Sequence, residues 1–309
     1  MRMIFMKIKH TLLAMATAAA VLATSSASAA GLKIGMSFQE MNNPYFVTMK
    51  EAFEAACKSI GAEEVVITDA QHNISKQVSD VEDMVQKKID ILLLNPTDSK
   101  GIVSAVEDAH KAGVVIVAID AQADGPIDSF VGSKNYDAGY QAGKYLCEQL
   151  GGKGEVAILD GIPVVPILER VRGFEDAAKE FPGIKIVTKQ NGKQDRAECL
   201  TVTENILQAN PNLKGLFSVN DGGGLGALTA IEDSKRDVKM TSVDGHPEAV
   251  EAIVKGNTPF IATSAQFPRD QVRIGLGIAL AKYWGANVPS AIPVDIKLLT
   301  KENAKGFAW

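Results

Sequence analysis

Basic runs are missing from this chain, as is any basic patch with interleaved aromatics, and acids outnumber bases, 37 Asp+Glu against 32 Lys+Arg. Nucleic acid is thereby excluded as the expected partner, because phosphate binding needs a basic stripe. Cysteine is scarce: Cys57, Cys147 and Cys199 are odd in number, far apart and without a C-x-x-C pair. Each falls in a segment with helical patterning, which predicts small buried hydrophobes rather than a disulfide framework. No His/Asp/Glu cluster has metal-ligand spacing, and no G-x-S-x-G elbow occurs. Neither metal nor cofactor is expected. There is also no Pro- or Ser-rich linker and no low-complexity tract. Any lobes must be joined by short crossings, as in a hinge, rather than by a tether.

Long apolar runs are absent after residue 30, and the one before it is about 13 residues, short of the roughly 20 that span a bilayer. Arg2, Lys7, Lys9 and His10 make a basic start, Leu12 to Ala23 is apolar, and Ser25 to Ala30 are small. That order is a secretory signal, residues 1–30, with cleavage expected after Ala29 or Ala30. A retained membrane anchor is the other reading; the small residues Ala27, Ala29 and Ala30 argue against it. The signal holds three basic residues and no acid, so its removal takes the formal net charge from −5 to −8. About 280 residues remain, large for one core and natural for two lobes.

What is present is alternation. Short apolar runs recur at Leu32–Ser37, Val65–Asp69, Ile91–Asn95, Val114–Asp120, Val156–Asp160, Ile184–Lys189, Leu216–Asn220, Met240–Asp244 and Pro259–Gln266. Their continuous apolarity predicts strands covered on both faces, as in a parallel sheet between helices. Amphipathic segments separate them, among them Tyr45–Ile60, Ser75–Lys87, Lys100–Ala112, Arg172–Phe181, Gln194–Ala209, Pro247–Lys255 and Pro268–Trp284. The expected fold is α/β, with doubly wound parallel sheets. The rhythm breaks after Phe130–Ser133, where the helical segment Asn135–Leu150 precedes a fresh strand, and a lobe crossing is expected near 133. Ile292–Leu299 reads as a final extended passage.

Nearly every apolar run ends in an acid or an amide. The first leads to Gln39, Asn42 and Asn43; the others exit into Asp69, Asn95, Asp120, Asp160, Asn220-Asp221, Asp244 and Gln266. In open α/β sheets the ligand sits beyond the carboxyl ends of the strands. A cleft between two such ends would be lined by groups that accept from hydroxyls and, for amides, also donate to them. Tyr45 and Phe46 would cover the apolar face of a ring. A single Asp or Asn after a strand serves equally well as the N-cap of the next helix, and Asp160 stays open between the two roles. Gln71, His72 and Asn73 read as a loop, His246 as a turn residue.

Met41-Asn-Asn-Pro-Tyr-Phe46, Leu94-Asn-Pro-Thr-Asp98, Val219-Asn-Asp221, Val243-Asp-Gly245 and Ala265-Gln-Phe-Pro268 resemble, in order and spacing, motifs of the periplasmic sugar-binding proteins of ABC transporters, type I, with the ribose-binding kind nearest. The resemblance covers essentially the whole mature chain. It implies two lobes joined by a three-crossing hinge, residues 31–133 with 267–295 and residues 134–266 with 296–309. It implies ligand contacts from Asn43, Tyr45, Phe46, Asn95, Asp120 and Ser133 in the first lobe, and from Arg170, Asn220, Asp244 and Gln266 in the second. Also implied are a periplasmic location, an inner-membrane ABC permease as partner and a chemoreceptor as a further possible one. A monomer is expected, since one chain supplies both walls.

Two departures bear on the ligand. The ribose-type pattern has an arginine after Asp120 and an aromatic before Asp195-Arg196; this chain has Ala121 and Gln194. The pocket is then roomier, more polar and more acidic, with Asp120 and Asp244 against Arg170, and Gln194 joins the candidate contacts. Buried carboxylates are costly unless paired. The expectation is an inositol or an amino-inositol (rhizopine), with a pentose or hexose as the alternative.

Three readings of other classes compete. Gly222-Gly-Gly224-Leu-Gly-Ala227 fits G-x-G-x-x-A, with Asp244 about twenty residues on, as in an NAD-dependent oxidoreductase. Asn220-Asp221 intervene between strand and glycines, which weakens it. Paired carboxylates at a cleft could serve a glycosidase, though an amide-rich lining favours recognition. A repressor's effector lobes share this fold but would need a DNA-binding headpiece where the signal stands.

Overall fold

The computed structural model describes residues 31–309; the expected signal, 1–30, lies outside the described residues. The chain builds two six-stranded sheets. The first contains β1 (Lys33–Phe38), β2 (Glu64–Asp69), β3 (Ile91–Leu94), β4 (Val115–Ile119), β5 (Ser129–Ser133) and β11 (Ala291–Val294), in the order β11-β5-β4-β3-β1-β2. All of its pairings are parallel. The second contains β6 (Lys153–Asp160), β7 (Gly183–Asn191), β8 (Leu213–Ser218), β9 (Lys239–Asp244), β10 (Phe260–Ala265) and β12 (Lys297–Thr300), in the order β12-β10-β9-β8-β6-β7. It is parallel except for β12, which runs antiparallel to β10.

The apolar runs lie where their composition requires. Every residue of β3 and β4 is buried, as expected of central strands with helices on both faces. The edge strands β2 and β7 are more exposed, and β7 carries Lys185 and Lys189, charges that discourage pairing with another chain. Helices α1 (Pro44–Ile60), α2 (Ile74–Gln86) and α3 (Val103–Lys111) belong to the first sheet. Helices α4 (Asn135–Gln149), α5 (Val165–Lys179), α6 (Arg196–Ala209), α7 (Asp221–Ser234) and α8 (Pro247–Lys255) belong to the second. Then α9 (Pro268–Tyr283) returns to pack on β4, β5 and α1. The chain therefore passes between the sheets after β5, after β10 and between β11 and β12.

Three sequence expectations are corrected. Ser129–Ser133, not read as a strand, is β5; it is short and contains Gly132, so it gave no continuous apolar signal. The extended passage Ile292–Leu299 is two strands in different sheets, parted at Asp295-Ile296. The glycine-rich stretch 222–226 is not a phosphate-cradling turn but the first turns of α7, capped by the Asn220 amide oxygen, which accepts from the Gly223 N–H at 3.0 Å. A Cβ at Gly226 would collide with the Arg196 carbonyl oxygen. These glycines let α7 approach α6, which is the reason for them and the physical objection to the dinucleotide reading. Cys57, Cys147 and Cys199 are helical, buried and free, as expected.

Candidate ligand-binding site

The carboxyl ends of the two sheets face each other across the hinge. On the first side, Asp120 follows β4 at φ 65°, a left-handed conformation that Asp tolerates. The Tyr45 hydroxyl, on the first turn of α1, donates to Asp120 Oδ1 at 3.1 Å. The Asn95 amide, after β3, donates to Asp120 Oδ2 at 3.3 Å and to the Ile119 carbonyl at 3.2 Å. From α9 the Gln271 amide donates to the Tyr45 hydroxyl at 2.9 Å and to the Ser133 hydroxyl at 2.8 Å. Asp120 is 7% exposed, Asn95 and Gln271 not at all. All donors to Asp120 here are neutral. Burial pushes its carboxyl up to about 6, against the pull of Arg170 and of the Tyr45 and Asn95 bonds.

On the second side, Asp244 ends β9 at φ 140°, a strained conformation for a residue with a Cβ. Arg170 of α5 meets its Oδ1 at 3.1 Å, and the Gln266 amide after β10 meets the same oxygen at 2.7 Å. Arg170 also donates to the Asn135 amide oxygen at 2.9 Å and to the Val219 carbonyl at 2.8 Å. Glycines place this guanidinium. A Cβ at Gly139 would strike the Arg170 backbone and one at Gly173 would strike Tyr136, so α4 and α5 cross closely. Behind Asp244 sits Asp221, fully buried, which accepts from the Gly245 N–H at 2.8 Å, the His246 N–H at 2.7 Å, the Thr263 hydroxyl at 2.8 Å and the Ser242 hydroxyl. Burial and the facing Asp244 push Asp221 up to about 7. Burial raises Asp244 too, with Arg170 opposing.

The two sides sense each other. Burial raises the Tyr45 hydroxyl, and the charges of Asp120, Asp244 and Arg170 all act on it. The lobes thus share one polar cluster, with Asp120, Asp244 and, behind it, Asp221 as its carboxylates and Arg170 as its guanidinium. The Oε1 of Gln266 is buried without a hydrogen-bond partner, as is that of Gln271. Such an oxygen is costly unless something donates to it.

Of the residues singled out from sequence, Tyr45, Asn95, Asp120, Ser133, Arg170, Asp244 and Gln266 fall in this cluster. Asn43 and Asn220 stand at its edge, and their amide oxygens cap α1 and α7 by accepting from the Tyr45 and Gly223 N–H groups, both at 3.0 Å. Phe46 is 5% exposed and packs edge-on to Tyr45 and Phe38, within the first core. Gln194, at φ 61°, spends its amide oxygen on the Ile162 N–H at 3.3 Å and shapes the 161–162 turn. Asp160 accepts from the Gly161 N–H at 2.8 Å, a turn role. His246 is the N-cap of α8. Asn135 and Gln271 were not foreseen; Asp221, expected among the strand-end acids, stands behind Asp244. Gln271 left a signal, since it shares the apolar stripe of α9 with Pro268, Val272 and Gly275. A cavity of about 310 Å³ beside the hinge is lined by Phe267, Asp270, Arg273, Ile274, Val294 and Asp295 and holds none of the clustered residues.

The comparisons with known proteins meet this geometry. A family model described as a periplasmic binding protein domain matches residues 34–285. This chain belongs to the periplasmic binding protein family. It is a binding protein and not an enzyme, which removes the oxidoreductase and glycosidase readings. It is 38% identical over 271 residues to a ribose import binding protein of Bacillus subtilis, covering 87% of each chain. Among solved structures, this binding protein is similar to a periplasmic solute binding protein of Actinobacillus succinogenes with bound D-allose. The TM-score is 0.85 at 33% identity, over 89% of this chain and 100% of that one. It is also similar to a Caulobacter myo-inositol binding protein bound to myo-inositol, with a TM-score of 0.82 at 29% identity, over 88% of this chain and 94% of that one.

Proposed function

We propose that this binding protein is the periplasmic sugar-binding component of an ABC importer, and that it captures a polyhydroxylated ring by hinge closure. Its lobes in this reading are residues 31–133 with 267–295 and residues 134–266 with 296–309. Asn43, Tyr45, Phe46, Asn95, Asp120, Ser133, Arg170, Gln194, Asn220, Asp244 and Gln266 are the proposed contacts. A ligand that touches both lobes only when they are closed shifts the population toward the closed form. The closed form then docks on the permease; a chemoreceptor is a second reader of the same shape, and the protein acts as a monomer.

The finer proposal is a cyclitol, with an amino-inositol preferred. The observation that carries it is the charge balance: Asp120 and Asp244 face one guanidinium, that of Arg170. Asp120 has no cation bonded to it, and burial raises its carboxyl to about 6. A ligand ammonium would neutralise it, and ring hydroxyls would satisfy the Gln266 oxygen. A pentose or hexose is the second reading, favoured by the names of the ribose and allose relatives.

Calorimetry with D-ribose, D-allose, myo-inositol and an amino-inositol decides between them. The amino-inositol should bind most tightly, and its affinity should rise as pH passes upward through about 6 and Asp120 loses its proton. Tighter binding of D-ribose or D-allose would establish the second reading; no binding of any of the four would remove the sugar proposal. In the ligand that binds best, Asp244→Ala should cost about 2–4 kcal/mol of affinity. An unchanged dissociation constant would take Asp244 out of the site.

A further inference from the structure

From the contacts of Trp309 we infer that this residue is a latch between the lobes, a positioning residue that sets how firmly the cleft stays shut around its ligand. The inference rests on the hinge-closure reading above. The segment after β12 starts in the second lobe. Ala304 is buried in that lobe's core and Phe307 packs against it, behind Gly245. Two residues on, Trp309 packs against the core of the first lobe instead.

The indole ties together elements that otherwise meet only across the cleft. Its Nε1–H donates to the Asp244 carbonyl at 2.9 Å, at the strained end of β9. Its ring meets Tyr45 edge-on, with centroids 5.6 Å apart at 85°, and His246 at 5.7 Å and 84°. Such perpendicular pairs place a positive ring edge over a negative face. From α9, Arg269 Nε donates to the backbone oxygen of Trp309 at 3.0 Å, and Arg269 is itself held by Glu51 of α1 at 3.0 Å. Tyr45, Arg269 and Glu51 move with the first lobe; Asp244 and His246 move with the second. Opening the hinge must break one set of these contacts or the other. Both sets together are therefore present only in the closed form, and contacts confined to one state shift the equilibrium toward it.

The test uses two readouts. Small-angle scattering of the sugar-free protein reports the open–closed balance, and stopped-flow release of myo-inositol, D-allose and D-ribose reports how long the closed form holds them. Trp309→Ala should enlarge the radius of gyration and speed release about tenfold, with association nearly unchanged. Trp309→Phe keeps the ring contacts and loses the Nε1–H, so release should speed up only about threefold, an intermediate position between wild type and Ala. Arg269→Gln should move both readouts in the same direction as Trp309→Ala.

Unchanged scattering and unchanged release in Trp309→Ala would overturn the latch. So would an altered melting temperature with neither readout moved, since that is a merely structural role. Should the Ala protein fail to fold, Trp309→Phe and Arg269→Gln decide by the same criteria. If wild type binds none of the three probes, an amino-inositol takes their place in the release assay; should that fail too, the sugar proposal falls, while the latch is still judged by scattering without sugar. A Trp284→Phe background leaves Trp309 as the single indole, since the chain has two tryptophans. Its acrylamide quenching should fall when a bound probe closes the lobes, and quenching that ignores a bound probe counts against the latch.

Discussion

The two halves of the cleft solve one problem differently. Each presents a buried aspartate at the carboxyl end of a parallel strand, in a backbone conformation that costs energy. In the second lobe Asp244 is paired with a guanidinium, and the loop after it is fastened by Asp221. In the first lobe Asp120 has a phenol and an amide and no cation of its own. The second half is a preorganised wall, held by one guanidinium and by the hydrogen bonds that Asp221 accepts behind Asp244. The first is a wall whose aspartate is held by neutral donors alone. On the proposed binding mode, selectivity among ring ligands belongs chiefly to the first half, and rigidity to the second.

The largest expected effect strikes the second half. Arg170→Met leaves Asp244 buried without its cation and unpairs the Val219 carbonyl and the Asn135 amide. Breaking one side of a buried pair typically costs about 3–5 kcal/mol, because the remaining charge is uncompensated. Urea denaturation of the sugar-free protein measures it. A loss under about 1 kcal/mol, the worth of an ordinary exposed pair, would mean that the second half is not the rigid one.

The first half should respond in the opposite sense. The Asp120 carboxyl lies at about 6 in the folded chain against an ordinary 3.8. Between those values the folded state holds more protons than the unfolded one, so stability falls as pH rises through that window. Across that window the folded state loses on the order of 3 kcal/mol of stability. Asp120→Asn should therefore stabilise the sugar-free protein at pH 7.5 and leave it unaltered or weaker at pH 4. The gain will be less than the full cost, since Asn offers one acceptor oxygen to two donors. Denaturation curves at both pH values test this; parallel pH slopes in wild type and variant would show Asp120 to be ionised throughout.

Much of this division was legible in the sequence because topology fixes where strand ends go. Once the alternation of apolar runs and helices predicts parallel sheets, Asn95, Asp120, Asp244 and Gln266 have to arrive at the carboxyl edges, and they do. Arg170 was placed by resemblance, since helix position alone does not say where a long side chain reaches. What distinguishes a cap from a cleft residue was not legible. Asn43 and Asn220 look like Asn95 in the sequence, yet the first two also cap helices. Gln271 and Trp309 enter from elements whose reach depends on interhelix distance and on the path after β12, neither encoded in local patterning. The glycines at 222–226 misled for a related reason: close helix packing and phosphate binding both require a missing Cβ.

The smallest expected effect is also the sharpest probe of the difference between the halves. Tyr45→Phe removes one hydroxyl and leaves the ring against Phe46 and Trp309. Lost with it are the donation to Asp120 at 3.1 Å and the acceptance from Gln271 at 2.9 Å. Gln271 retains Ser133, so the net loss of stability should be about 1 kcal/mol. The more telling result concerns protons. A donor to the ionised carboxylate holds its pKa down, so removing it should move the Asp120 midpoint above its present value near 6. In the second lobe no such move should follow, because Asp244 takes its side-chain hydrogen bonds from Arg170 and Gln266 and none from Tyr45. Carbon-detected NMR titration of both carboxyls in Tyr45→Phe separates the cases. A midpoint that stays near 6 would mean that burial alone governs Asp120, and the first half would differ from the second only in lacking an arginine.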